Sequence, residues 1–164
     1  MSQRVKYIAA SGTYVLTKVQ RLERVVVNSG PAACTIDLRV GTANDDPFAI
    51  IDGSVAGYYP YDIDLNGVNV EVVVTNATVA LSASSSSDDI LIDAAHGLSN
   101  GDRIQFTSLT GGAGLATATT YYVVNATTGT FQLAAAIGGT AINFTTDISA
   151  ANYQEVADIT IVYE

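Results

Sequence analysis

Tryptophan is absent from this chain of 164 residues, cysteine and histidine occur once each, and only 14% of the residues are charged. The lone thiol, Cys34, excludes an internal disulfide and gives no basis for a cysteine metal cluster. It lies in the apolar run AACTIDL and is expected to be a buried, inert thiol rather than a nucleophile. The lone histidine, His96, excludes a His-pair metal site. In AAHGLSNGD it is expected to order a turn, since no serine is placed on a strained elbow to use it. No stretch approaches 18 apolar residues and the first residues lack an apolar leader core, so neither a membrane span nor export is expected. The expected place of synthesis is a reducing cytoplasm. No segment carries the apolar periodicity of a three-turn helix.

Positive charge is scarce as well, and unevenly placed. The net charge is −9. Arg4, Lys6, Lys18, Arg21, Arg24 and Arg39 against Glu23 and Asp37 give the first 39 residues +4. The remaining chain has only Arg103 against 14 acids, giving −13. An acidic body repels nucleic acid at long range. The basic beginning makes Arg4, Lys6, Arg21 and Arg24 candidates for docking on an acidic protein surface.

What is abundant is apolar and β-branched residues, with 48% apolar in all and nine tyrosines. This usage suits short strands and an all-β fold. Strand patterns appear at Val5–Ala9, Thr13–Thr17 and Arg21–Asn28, with Ser29-Gly30-Pro31 as a stop. TIDLRV alternates, placing Ile36, Leu38 and Val40 on one face. GTANDDP is a polar loop, and FAIID a strand. Asn66-Gly67 is a favoured two-residue turn, predicting a hairpin over Tyr58–Thr75.

After a serine linker, Ser84–Ser87, five further strand patterns follow: DILID, RIQFT, TYYVVN, TFQLA and GGTAINF, with TGGAG as a flexible loop. VNVEVVV before this region and DITIVY after it would read through if it were removed. The expected architecture is an antiparallel β-sandwich host, residues 1–78 and 156–164, carrying an inserted β-barrel-like module, 79–155. VNVEVVV and DITIVY are expected to be neighbouring strands. RVKYIAA is the best edge-strand candidate.

Chemistry-bearing patterns are few. Asp62, Asp64 and Asn66 match the opening of a calcium loop, but the position for the bidentate Glu is Val73. No other metal site and no cofactor is expected. Gly111-Gly112-Ala113-Gly114 has no following Lys and is a poor phosphate loop. Tyr58, Tyr59 and Tyr61 form an aromatic cluster beside acids, better suited to core packing or a protein interface than to bases. No acid–base constellation marks an enzyme.

Two resemblances attach to these residues. HGLSNGDRIQFTS, TTYYVVNATTGTFQLAA and GGTAINF resemble a small module of tailed-bacteriophage structural proteins. The flanking halves, with their basic start, RLERVVVN, FAIID and ADITIVYE, resemble small phage virion proteins. The resemblance implies a virion structural protein, foremost a decoration or cement protein on the capsid exterior bound to the major capsid protein. A tail, collar or fibre component is the alternative, and a carbohydrate-binding module using exposed Tyr and Asp a further one. Two small cores and open edge strands lead to the expectation of a homo-oligomer, and the resemblance implies a trimer, as at viral three-fold positions.

Overall fold

The computed structural model describes residues 2–9, 11–29, 34–41 and 46–164. The expected stop at Gly30-Pro31 and most of the GTANDDP loop lie outside the described residues. Every regular element among the described residues is a β-strand, and the strands form two antiparallel sheets. The chain divides into two compact units, Met1–Ala77 with Ala157–Glu164, and Thr78–Val156.

In the first unit the strands are β1 (Arg4–Ile8), β2 (Gly12–Ser29), β3 (Cys34–Val40), β4 (Ala49–Asp52), β5 (Gly57–Asn76) and β13 (Asp158–Tyr163). Their order is β1-β13-β2-β5-β3-β4. Two strands are unusually long, 18 residues for β2 and 20 for β5. They pair along most of their length, from Gly12↔Val74 to Val27↔Gly57. The second half of β2 also pairs with β13, and the second half of β5 with β3. The one ribbon therefore serves two four-stranded layers, β1-β13-β2-β5 and β2-β5-β3-β4. Both layers bury side chains in a single core that includes Ile159, Val25, Leu16, Val72 and Leu38, so the sheet folds over on itself as an antiparallel β-sandwich.

The predicted hairpin at Asn66-Gly67 is not formed. Both residues take positive φ, 50° and 80°, as the turn chemistry demands. Instead of reversing the chain, they sit in a bulge of β5, which continues along β2. Between Val19↔Val68 and Arg21↔Asp64, β2 has one residue where β5 has three. Two more irregularities flank this one, at Lys18 (φ 52°) and Asp62 (φ 55°). Bulges bend a strand and sharpen its twist, which is what a ribbon crossing between two layers needs. They also reset the side-chain alternation. Buried positions on β2 are Leu16, Val19, Leu22, Val25 and Val27, not every second residue. The pairing of VNVEVVV with DITIVY also differs from expectation, because β2 lies between β5 and β13.

Elsewhere in this core, Cys34 is buried and its thiol is pushed up to about 11 by burial, with Asp52 adding to the effect. Such a thiol is inert. Gly53 donates its N–H to the Cys34 carbonyl at 2.8 Å, and a β-carbon there would stand 2.5 Å from Cys34 Sγ.

The second unit contains β6 (Thr78–Ala80), β7 (Ala83–Ser85), β8 (Ile90–Ile92), β9 (Arg103–Gly111), β10 (Thr120–Val124), β11 (Thr130–Ala134) and β12 (Ile148–Glu155), ordered β6-β12-β9-β10-β11-β8-β7. The first and last strands of that order are separated in the chain by only Leu81 and Ser82. The sheet must therefore curl round, and β7 does lie beside β12. The Ile148 N–H donates to Ser84 Oγ at 2.7 Å, and the Leu81 N–H to the Ala151 carbonyl at 3.0 Å. The expected serine linker is thus a structural strand and turn. Asp147 accepts from the Ser86 N–H at 2.7 Å, and the Ser86 bonds hold its carboxyl below the ordinary carboxylate value. TGGAG is likewise pinned: Gly112 donates to the Thr146 carbonyl and Thr145 to that of Ala113. GGTAINF contributes an isolated bridge, Ala134↔Ala141, in place of a full strand.

Inward positions alternate cleanly here, with Ile104 and Phe106, Tyr121 and Val123, Phe131 and Leu133 all buried. On β8 the buried residue is Leu91, not the flanking isoleucines. One polar pair enters this core. The Tyr153 hydroxyl donates to Asp93 Oδ2 at 2.9 Å, and burial followed by the Asp93 bond raises the phenol's pKa. His96 stands in its turn with Nδ1 accepting from the Leu98 N–H at 3.0 Å and its ring 5.0 Å from that of Phe131.

Gly53→Ala forces overpacking against Cys34 and should lower unfolding stability by about 1–3 kcal/mol. In a Cys34→Ala background the same change should cost less, as denaturant melts of the four variants will show. Tyr153→Phe removes the donor to Asp93 and should cost about 1–3 kcal/mol at neutral pH. The folded phenol resists ionisation, so its contribution is complete below the unfolded value of 10.0 and declines as pH rises above it. The gap between wild type and Tyr153→Phe should therefore narrow in melts above about pH 10.

Candidate functional site

Several of the candidate residues meet on the bulged ribbon of the first unit. Gln20, Arg21, Asp62, Asp64, Asn66 and Glu164 line an open cleft of about 600 Å³. The bulges break the alternation, so polar side chains from both strands gather where a regular ladder would disperse them. Beyond β13 the backbone of Glu164 continues the ladder, donating to the Arg21 carbonyl at 2.9 Å and accepting from the Gln20 N–H at 2.6 Å.

The calcium pattern does not assemble as a calcium loop. Asp62, Asp64 and Asn66 do share the cleft, but Asp62 is engaged by the Arg21 guanidinium, whose pKa that bond raises. Asp64 Oδ1 accepts from the Asn66 N–H at 3.0 Å, a local turn bond. A guanidinium already on the carboxylate repels a divalent ion. No group of three His, Cys, Asp or Glu suited to a metal occurs among the described residues.

Strand geometry separates the four basic candidates. Arg4 and Lys6 pair in register with Tyr163 and Ile161, on the core side of β1. Arg4 Nη1 donates to the Thr17 carbonyl at 3.1 Å, and its guanidinium lies 5.9 Å from the Tyr163 ring. Lys6 Nζ lies 5.6 Å from the Tyr14 ring. Both side chains thus reach from the edge of one layer to β2 in the other, bridging the open seam of the folded sheet. β1 is at the sheet edge, as RVKYIAA suggested, and inward-pointing charge is one way that an edge is protected. Arg21 lies in the cleft. Of the four, only Arg24 stands on the outer surface of the β1-β13-β2-β5 layer, 5.9 Å from the Tyr58 ring and 3.6 Å from Glu23.

The tyrosine cluster is divided by the same alternation. Tyr59 and Tyr61 pack against the core, and burial raises the Tyr61 pKa. Tyr59 donates to the Val55 carbonyl at 3.2 Å. Tyr58 points outward and is 60% exposed. It is not among the residues lining the polar cleft.

Tyr58 belongs to a surface that the sequence pattern did not reveal. The register aligns Val5, Val162, Arg24 and Pro60 in one row and Tyr7, Thr160, Val26 and Tyr58 in the next. These are the outward positions of the β1-β13-β2-β5 layer, and a single charge stands among eight residues. Val5 is 46% exposed and Tyr7 73%, while Val162, inside its row, is shielded. The available signal was RVKYI itself. Its charges alternate with apolar residues, and Ile8 fixes the charged parity as the inward one.

Comparison with protein-family models, with curated proteins and with solved structures found no match. The class of protein defined by the fold is an all-β chain of two antiparallel sheets.

Calcium provides a direct check on the cleft. Titration to on the order of 1 mM, which spans weak extracellular calcium sites, should leave the melting temperature unchanged. A calcium-dependent rise abolished by Asp62→Asn would show that Arg21 yields to the ion.

Proposed function

We propose that this chain is a non-enzymatic structural component of a tailed-phage particle, foremost a decoration protein on the capsid exterior that binds the major capsid protein. The observation that carries the reading is the outward, apolar face of the β1-β13-β2-β5 layer. Val5, Tyr7 and Tyr58 expose apolar surface on this face, and exposed apolar side chains gathered on one face favour association. The module-like motifs point the same way. HGLSNGDRIQFTS and TTYYVVNATTGTFQLAA fall on a strand-and-turn framework in the second unit, with Ile104, Phe106, Val123 and Phe131 buried.

A tail, collar or fibre position is the alternative, since the same face would serve any subunit of a particle. The carbohydrate reading has less support. Tyr58 and the polar cleft are not one site, whereas sugar recognition combines an aromatic platform with adjacent polar groups.

The test is location. Antibody labelling of intact particles carrying this chain, imaged by electron microscopy, should place label on the head facets. Label confined to the tail or vertex would support the alternative position, and particles without the chain would reject the reading.

A further inference from the structure

We infer that the outward face of the β1-β13-β2-β5 layer pairs with the same face of a second copy of this chain, around a two-fold axis. The inference concerns the free protein and rests on the same face as the particle reading, giving that face one occupant, a second copy.

The composition of the face favours self-association. Tyr7, Val26 and Tyr58 form its central row with Thr160. An antiparallel sheet with one face in a core normally turns polar side chains to water on the other. Here Tyr7 and Tyr58 remain 73% and 60% exposed. Aromatic residues of this kind are enriched at interface centres.

Charge on the face is self-complementary as well. Arg24 lies one row to one side of the centre. Asp158 lies to the other side, on the same face, because Asn28 Nδ2 reaches both Asp158 Oδ1 and Thr160 Oγ1, at 3.4 and 3.3 Å. A row advances two residues, or about 6.7 Å, so the two charges are about 13 Å apart along the strands. A two-fold axis along the central row exchanges the two ends. It brings Arg24 of one copy toward the Asp158 end of the other, twice over. The face is therefore complementary to itself in charge as well as apolar.

The face is small. Four strands at about 4.8 Å and three rows give roughly 400 Å² of projected surface per copy. A standard stable interface buries about 800 Å² per partner. The dimer therefore belongs with weak, transient associations and is favoured wherever copies are concentrated.

Sedimentation velocity of the full chain from about 10 μM to about 1 mM reads this directly. A monomer–dimer equilibrium is expected. Tyr7→Asp and Tyr58→Asp should each raise the dissociation constant at least about tenfold, since a two-fold axis counts each change twice. Ile137→Asp, at a residue 71% exposed in the second unit, should not. Arg24→Asp and Asp158→Arg should each weaken association and together restore it. Circular dichroism confirms that each variant is folded. A chain monomeric to about 1 mM, an oligomer indifferent to both tyrosine changes, or a double swap no better than the single ones would each overturn the inference. Self-association is read by sedimentation of the free chain and position by labelling of particles, so failure of the one reading is distinguishable from failure of the other.

Discussion

The first unit depends on one constraint: two long strands must remain paired while passing from one layer to another. β2 and β5 meet it by interrupting their ladder three times, with positive φ at Lys18, Asp62 and Asn66-Gly67. A regular ribbon would twist steadily and carry its apolar residues to alternate faces throughout. The interrupted one bends and shifts its parity, so that Leu16, Val19, Leu22, Val25 and Val27 all reach the same core. The polar cleft is a by-product of that bending.

The basic residues are distributed by the same geometry. Arg4 and Lys6 lie on the seam side of β1, where Thr17, Tyr14 and Tyr163 receive them, and Arg4 remains exposed there. Turning the charges inward leaves Val5 and Tyr7 on the outside. Protection of the open edge and exposure of the apolar face are two sides of one alternation.

Strand content was legible because period-2 alternation survives wherever a ladder is regular. TIDLRV, RIQFT, TYYVVN and TFQLA all became strands with buried residues at alternate positions. The misreadings fall where regularity stops. Asn66-Gly67 has the backbone preference of a hairpin turn, but φ > 0 is equally the preference of a bulge, and only long-range pairing with β2 decides between them. The serine run Ser84–Ser87 lacks apolar residues, so its role in closing the second sheet, through Ser84 and Ile148, had no hydrophobic signal. The outward face was hidden because apolar residues in a strand suggest burial by default. Parity is assigned correctly only once Ile8 and its partner Ile159 are known to face the core.

The pairing of β6 with β12 has a consequence for how the chain can fold. Thr78 stands opposite Gln154, so the second unit begins and ends on adjacent strands. Measured along the backbone, the excursion from Thr78 to Val156 contains 79 residues. For a disordered tether of that length, bringing the two ends together costs roughly 3 kcal/mol more than closing a two-residue turn. Once the second unit has folded, its own strand pairing holds Thr78 about 5 Å from Gln154, two residues before Val156. To the first unit the whole excursion then acts as a tight connection, and β13 can join β2 with little of the entropy penalty that its distance in sequence implies.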